Sequence, residues 1–577
     1  MFKEGLKKLI MTTVACAAVS ASAALPQPQH IVEGIKSYEL ENGLKIVLFA
    51  DQSKPTATVN TTYLVGSRQE NYGETGMAHL LEHLMFKGSK NYPDPTREFT
   101  KRGFRMNGTT WLDRTNYFVS FTANDDNMRW ALGWSADAMV NSNIAKKDLD
   151  TEMTVVRNEY EMGENKPVSV MVKRMQGILF DWHAYGRNTI GARSDIENVP
   201  IENLQAFYHK WYQPDNAVLT VSGKFDETKV LTWITETFGK IPRPTRVLPA
   251  EWTVEPVADG PRYFEIRRPG ESQLVAVGYR IPSAIAADNN AVETAVDVLS
   301  SAPRGRLYKA LVETGMAGQV FGWAMSAKCP SFVMFGAMVK KGDDIERVKN
   351  VLIDTVENAF KKTPADETEV GLSLAEAATD FERTLSDPEE FAVELSDYIS
   401  LGDWRLYFYD RDATAKVTPA DVNKAAATYF VRDNRAVGVF IPDDKPQRAP
   451  YMETPKLADV LKNATFKEEG AVSEAFDVSQ ANIDARTEVL EINGVKTALL
   501  PKKTRGETVT VLTHFNYGTL ETVKGKRALD TLIEPMLTRG AEGMDRTAIS
   551  DKLTQLKVQG DILTFTTTRE NVVAVIE

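Results

Sequence analysis

The chain repeats itself, and that repetition limits the folds open to it. Phe207-Tyr208-His209-Lys210-Trp211-Tyr212-Gln213-Pro214-Asp215-Asn216-Ala217-Val218 runs into a β-rich stretch ending at Ser222-Gly223. Thr428-Tyr429-Phe430-Val431-Arg432-Asp433-Asn434-Arg435-Ala436-Val437 leads the same way into Gly438-Val439-Phe440-Ile441. The two Asp-Asn pairs stand about 218 residues apart, each after a helical pattern and before a strand pattern. Two domains of one fold are implied, over 31–245 and 262–442, meeting near Pro242 to Pro261. A third copy opens with Asn493-Gly494-Val495-Lys496, which repeats Asn42-Gly43-Leu44-Lys45. Between copies two and three, the charged stretch 443–484 contains Pro446 and Pro450 and reads as a linker.

Within the first copy, Tyr38-Glu39-Leu40, Asn42-Gly43 and Leu44 to Phe49 read as strand, hairpin turn and strand. Thr58 to Val65 and Asn116 to Phe121 read as further strands, and Asp125 to Val140 as a helix.

Ahead of the repeats, Lys3, Lys7 and Lys8 precede an apolar run from Leu9 to Val19 and the small-x-small group Ala21-Ser22-Ala23. Residues 1–23 thus read as a cleavable signal peptide, and the mature chain as periplasmic or secreted. A lipoprotein reading through Cys16 is weaker, because the preceding apolar run is short and Thr13 fits poorly. No later segment has the ~18 consecutive apolar residues of a membrane span. The mature chain would keep one cysteine, Cys329, read as a buried thiol, so stability must come from apolar cores. The net charge of −11 becomes about −13 without the signal and argues against nucleic acid as a partner.

Only six histidines occur, and two fall in His79-Leu80-Leu81-Glu82-His83. Positions i and i+4 share a helix face, so both imidazoles can reach one ion, with Glu82 beside them as a general base. Alternatively, the run is an amphipathic helix whose Leu80, Leu81, Leu84 and Met85 face a core. A dihistidine site needs a third ligand. A second helix, from about Asp148 to Glu164, offers Glu152 and Glu159 on one face, and spacing alone does not choose between them. That face could equally be a solvated acidic surface. His183 and His209 sit among aromatic residues and read as core or hydrogen-bonding groups.

With this reversed motif, followed by Phe86-Lys87-Gly88, and with the acidic helix and the repeats, the chain resembles the pitrilysin/insulinase family of zinc metallopeptidases. The resemblance implies an α+β fold of tandem metallopeptidase domains, each a mainly antiparallel sheet packed by helices, arranged as a clamshell around a chamber. It implies one zinc per chain held by His79, His83 and Glu159, with Glu82 as base and Glu152 as a supporting carboxylate. It implies that a peptide strand adds to a sheet edge at Asn107-Gly108-Thr109-Thr110, making Asn107 a substrate-binding residue; an Asn-Gly turn is the other reading of these residues. Ser301 to Tyr308 resembles a family segment of the second domain and is read as structural. In the third copy, Gly518 answers Gly66, and Thr531 and Pro535 stand where His79 and His83 stand, so the copy keeps the fold without the metal. Matching Asn571 to Asn116 makes Asn571-Val572-Val573-Ala574-Val575-Ile576 an apolar strand and 485–577 a truncated repeat. The partners implied are a peptide substrate and a missing C-terminal half or partner subunit. The reading is a zinc endopeptidase of oligopeptides or unfolded segments; the alternative is a non-catalytic binding or assembly subunit of the same fold.

Overall fold

A computed structural model describes residues 25–577 apart from 468, 469 and 471. The signal-peptide reading and Cys16 fall outside the described residues. The chain divides into two compact units, one ending at Arg448 and the other running from Ala449 to Glu577.

The first unit holds two sheets. The first is built from β1 (His30–Val32), β2 (Ile35–Glu39), β3 (Lys45–Ala50), β4 (Thr56–Tyr63), β5 (Arg105–Thr110), β6 (Thr115–Thr122) and β7 (Ala217–Gly223), in the order β1-β2-β3-β7-β4-β6-β5. Its helices are α1 (Met77–Leu84), α2 (Pro95–Arg102), α3 (Asp125–Asn141), α4 (Lys146–Glu164), α5 (Pro167–Leu179), α6 (Arg193–Asn198), α7 (Ile201–Trp211) and α8 (Glu227–Thr237). The second sheet has β8 (Arg262–Arg268), β9 (Ser272–Ile281), β10 (Gln319–Met325), β11 (Ser331–Lys340) and β12 (Arg435–Pro442), in the order β10-β11-β9-β12-β8. Its helices are α9 (Asn289–Ser300), α10 (Ile345–Lys362), α11 (Glu367–Ser386), α12 (Pro388–Leu401), α13 (Leu406–Thr414) and α14 (Pro419–Tyr429).

The two sheets share one topology. Read from its far edge, the second sheet runs β8-β12-β9-β11-β10, as the first runs β3-β7-β4-β6-β5. In each, one neighbouring pair is parallel, β3 with β7 and β8 with β12, and the other pairs are antiparallel. The repeated asparagines do the same work in both copies. Asn216 Nδ2 donates to the carbonyls of Trp211 and Leu64, and Asn434 Nδ2 to those of Tyr429 and Arg280. Each ties the end of a helix to the neighbouring strand edge, satisfying carbonyls that would otherwise lack donors.

Each sheet has one face covered by its own helices and the other by a helix from the opposite repeat. Phe391, Leu395 and Ile399 of α12 pack against Val47 and Val218 of the first sheet, and Asn60 on β4 donates to the Ala392 carbonyl and Ser396 Oγ. In return, Met171, Met175 and Leu179 of α5 pack against Leu274, Ala276 and Ala436 of the second sheet. Gly278 and Gly438 make that approach possible, since a Cβ there would stand 2.7 Å from Met175 Sδ and 2.4 Å from Met171 Sδ. Burying side chains of this size contributes about 1.5–3 kcal/mol each.

In the second unit, strands Glu488–Ile492 and Val495–Leu499 form a hairpin through Asn493-Gly494, both with positive φ, as a type I′ turn requires. Thr508–Leu512 pairs with Thr564–Thr568, and Arg527–Leu537 is a helix that contains Pro535. The stretch expected as a linker carries two short helices, Leu457–Leu461 and Gln480–Arg486.

The expected strand over 571–576 is instead a helix, Val572–Ile576. Thr564-Phe565-Thr566-Thr567-Thr568 alternates, burying Phe565 and Thr567, and takes the strand position. An unbroken apolar run such as Val572 to Ile576 has no period to mark it as a strand.

Candidate metal centre

Helix α1 forms because Met77, Ala78, Leu80, Leu81 and Leu84 bury one face in the first core. Its first turn is fixed from a distance. Gly76, at φ +93°, starts the helix, and its N–H and that of Ala78 each donate to Glu70 at 2.8 Å. Glu70 is buried, and desolvation pushes its carboxyl up to about 8 although both N–H groups pull the other way.

Four residues apart on this helix, the rings of His79 and His83 stand edge to face at 4.9 Å. Burial, then the neighbouring His83, lowers His79 to about 4, which keeps its imidazole neutral as a metal ligand must be. Across from them on α4, Glu159 Oε2 lies 3.4 Å from His79 Nε2 and 3.5 Å from His83 Nε2. These separations exceed charge-assisted hydrogen bonds of about 2.7–2.9 Å. They match the roughly 3.3 Å between ligand atoms on a tetrahedral ion with bonds of about 2.0–2.1 Å. The donor set of two imidazoles and a carboxylate therefore fits zinc, and among the described residues this is the one group of three such donors that could hold an ion.

Glu152 faces the other side of His83. Its Oε2 is 3.2 Å from His83 Nδ1, and Lys87 Nζ is 2.5 Å from its Oε1. Burial raises this carboxyl, but the bonds from Lys87 and His83 together hold it below its usual value. Glu82 accepts from Thr110 Oγ1 at 2.5 Å; burial raises its carboxyl, and the Thr110 bond offsets part of that rise. Glu164 turns away to Lys173 and Arg268.

Residues 107–110 lie in β5, at the edge of the first sheet, and not in a turn between strands. A Cβ on Gly108 would stand 2.8 Å from Glu82 Cγ, so the edge runs directly past the candidate base. The Asn107 side chain is exposed, and its Oδ1 accepts the Gly108 N–H at 3.0 Å.

Glu70, Lys87, Thr110 and Arg114 were not assigned roles from sequence. Lys87, four residues past His83, could have been found as the cation a buried Glu152 requires. Glu70 gives no such signal, because it caps α1 across a loop and not from the first turn. His183 Nδ1 accepts from the Tyr185 N–H, while His209 is exposed and lies outside the core. Cys329 is partly exposed at the β10–β11 connection and not buried.

Known proteins resemble this chain in sequence and fold. The family described as Insulinase (Peptidase family M16) matches residues 45–193, and the Peptidase M16 inactive domain matches 198–372. The zinc protease PqqE of Helicobacter pylori is 26% identical over 76% of this chain and 97% of its own length. A crystal structure of a protease from Helicobacter pylori superposes with a TM-score of 0.67 at 25% identity, over 72% of this chain and all of the other. The periplasmic protease PqqL from Escherichia coli shares the fold, with a TM-score of 0.59 at 15% identity, over 95% of this chain and 66% of that one. In sequence, this chain spans only 28% of PqqL. No helix among the described residues is long and apolar enough to cross a membrane. Family matches, named relatives and shared fold together place this chain in the insulinase family, peptidase family M16.

Proposed function

We propose that this chain is the metal-bearing part of an exported zinc endopeptidase that hydrolyses oligopeptides or unfolded segments. The reading is carried by the convergence of His79, His83 and Glu159 beside the half-buried Glu82 and an edge strand. A further half, whether the rest of the same protein or a partner subunit, would close the chamber around the substrate. The periplasmic location named for PqqL and the signal-like start of this sequence support export.

His79, His83 and Glu159 would hold the zinc, with Glu152 orienting His83 through Nδ1. When bound, zinc supplies Lewis acidity to the peptide carbonyl and acidifies a water. The main-chain N–H and C=O groups on the open side of β5 would align the peptide as an added strand. The Glu82 carboxylate would take the proton from the attacking water and return it to the leaving amine. Thr110 holds that carboxylate in place through Oε2.

The test is the metal content of the purified chain beside Glu159→Gln, both dialysed against trace zinc. One zinc per chain in the parent and markedly less in the variant supports the ligand set, and a longer protein containing both halves should then cleave peptides. A folded parent without zinc overturns the hydrolytic reading in favour of a binding or assembly subunit.

A further inference from the structure

The shared topology places a counterpart of the metal site in the second repeat. Helix α9 stands between β9 and β10 as α1 stands between β4 and β5. It reads Asn290-Ala291-Val292-Glu293-Thr294, with the glutamate of the motif in place and other residues where the two histidines stand. The glutamate also keeps a hydroxyl partner from the edge-strand region. Ser326 Oγ, just past β10, donates to Glu293 as Thr110 Oγ1 on β5 donates to Glu82.

Around this counterpart lies a cavity of about 830 Å³, lined from both repeats. Its charged wall is one-sided: Glu293, Glu394, Asp397 and Asp410 face a single cation, Arg114, while Asp113 in the same wall is already paired with Arg68. That cation is already committed, to Asp397 at 2.5 Å and to Thr109 and Asn116 at 2.6 Å each. Asp410 is held by Asn290 and Tyr398. Glu394 opens into the cavity and has no hydrogen-bond or ion-pair partner among the described residues. Asn289, only 1% exposed and in the same wall, donates through Nδ2 to Glu293 at 3.1 Å, and its side-chain oxygen has no donor in reach. Desolvation raises the carboxyls of Glu293, Glu394 and Asp410, so a cation entering the cavity would relieve an unfavourable cluster. Trp111, Trp323, Tyr398 and Tyr409 add aromatic faces, which favour cations further.

We propose that this metal-free counterpart is a pocket for a guanidinium or ammonium side chain of the bound peptide. The assignment rests on β5 being the peptide-binding edge. Trp111 and Arg114 bring the cavity wall to the end of that strand, and Trp111 is three residues past Gly108, which abuts Glu82. At about 3.3 Å per residue, an extended peptide covers that ~10 Å in three residues. Peptides with arginine or lysine about three to four residues from the scissile bond are therefore the favoured substrates.

The test compares two acetylated hexapeptide amides that differ only in arginine or citrulline, which has nearly the same shape without the charge. Each is titrated by calorimetry into the full chain carrying Glu82→Gln to prevent cleavage. The arginine peptide is expected to bind at least about ten-fold more tightly, with a preference that shrinks as salt rises. Glu394→Gln in the same background should bring the two peptides within about two-fold of each other. Equal binding, binding of neither peptide, or a preference that survives both Glu394→Gln and high salt overturns the proposal. Agmatine, a free guanidinium amine, should bind more weakly than the arginine peptide; tighter binding would mark a site for free amines and overturn the peptide assignment. A chain without zinc that keeps the arginine preference defeats the hydrolytic reading and leaves the pocket standing. A zinc-loaded chain without the preference does the reverse.

Discussion

Glu82 and Glu159 separate two failures that look alike in an activity assay. Glu159→Gln should lose metal and activity together. Glu82→Gln should keep zinc, read by metal analysis, while peptide cleavage by the assembled protein falls by about 10²–10⁴-fold, the usual worth of a positioned general base. Thr110→Val gives a subtler result. The Thr110 hydroxyl favours the charged form of Glu82, so its removal should raise that carboxyl further. The acid limb of the pH–rate profile should then move to higher pH with zinc content unchanged. The same pair of helices shows what spacing could not decide. Glu152 and Glu159 share a face of α4, but two helical turns of rise send Glu159 to the Nε2 atoms of both histidines and Glu152 to Nδ1 of one.

Helix α1 depends on a residue it does not contain. Glu70 anchors its first turn, and in the fold its carboxyl sits near 8 against an ordinary value of 4.5. The folded state thus holds this proton more tightly than the unfolded chain does. Stability from this group is full below about 4.5 and is lost as pH rises toward 8, by an amount on the order of a few kcal/mol. Thermal unfolding between pH 5 and 8 should show that decline, and Glu70→Gln, which keeps an acceptor without an ionisable proton, should flatten it.

Long elements were legible in the sequence: β6, α3 and α4 lie within a few residues of where their β-rich or helical composition puts them. The histidine pair, too, was visible from spacing alone. What stayed hidden was long-range. A cap reaching across a loop, a helix packed on another repeat's sheet and the burial state of His209 or Cys329 depend on neighbours distant in sequence. The short run at Val572 lacked the alternation that separates strand from helix.

At the scale of the first unit, the crossed helices make the two repeats one thermodynamic body. Without α12, the first sheet would expose Val47 and Val218, and without α5 the second would expose Leu274 and Ala276. Residues 25–448 should therefore unfold in one calorimetric transition, and a truncation ending near Gly260 should aggregate or melt without cooperativity. Overfilling the seam at one point, by Gly438→Leu, should cost about 1–3 kcal/mol or more, read by denaturant unfolding. The seam also has a bearing on how such a chain can change over time. Position 438 can grow only if both Met171 and Phe264 give way, since a Cβ there would stand 2.4 Å from Met171 Sδ and 2.3 Å from Phe264 Cζ, and position 278 is held in the same way by Met175 and Leu179. A larger residue on one side of the seam needs room made on the other, so substitutions in the two repeats are coupled across it.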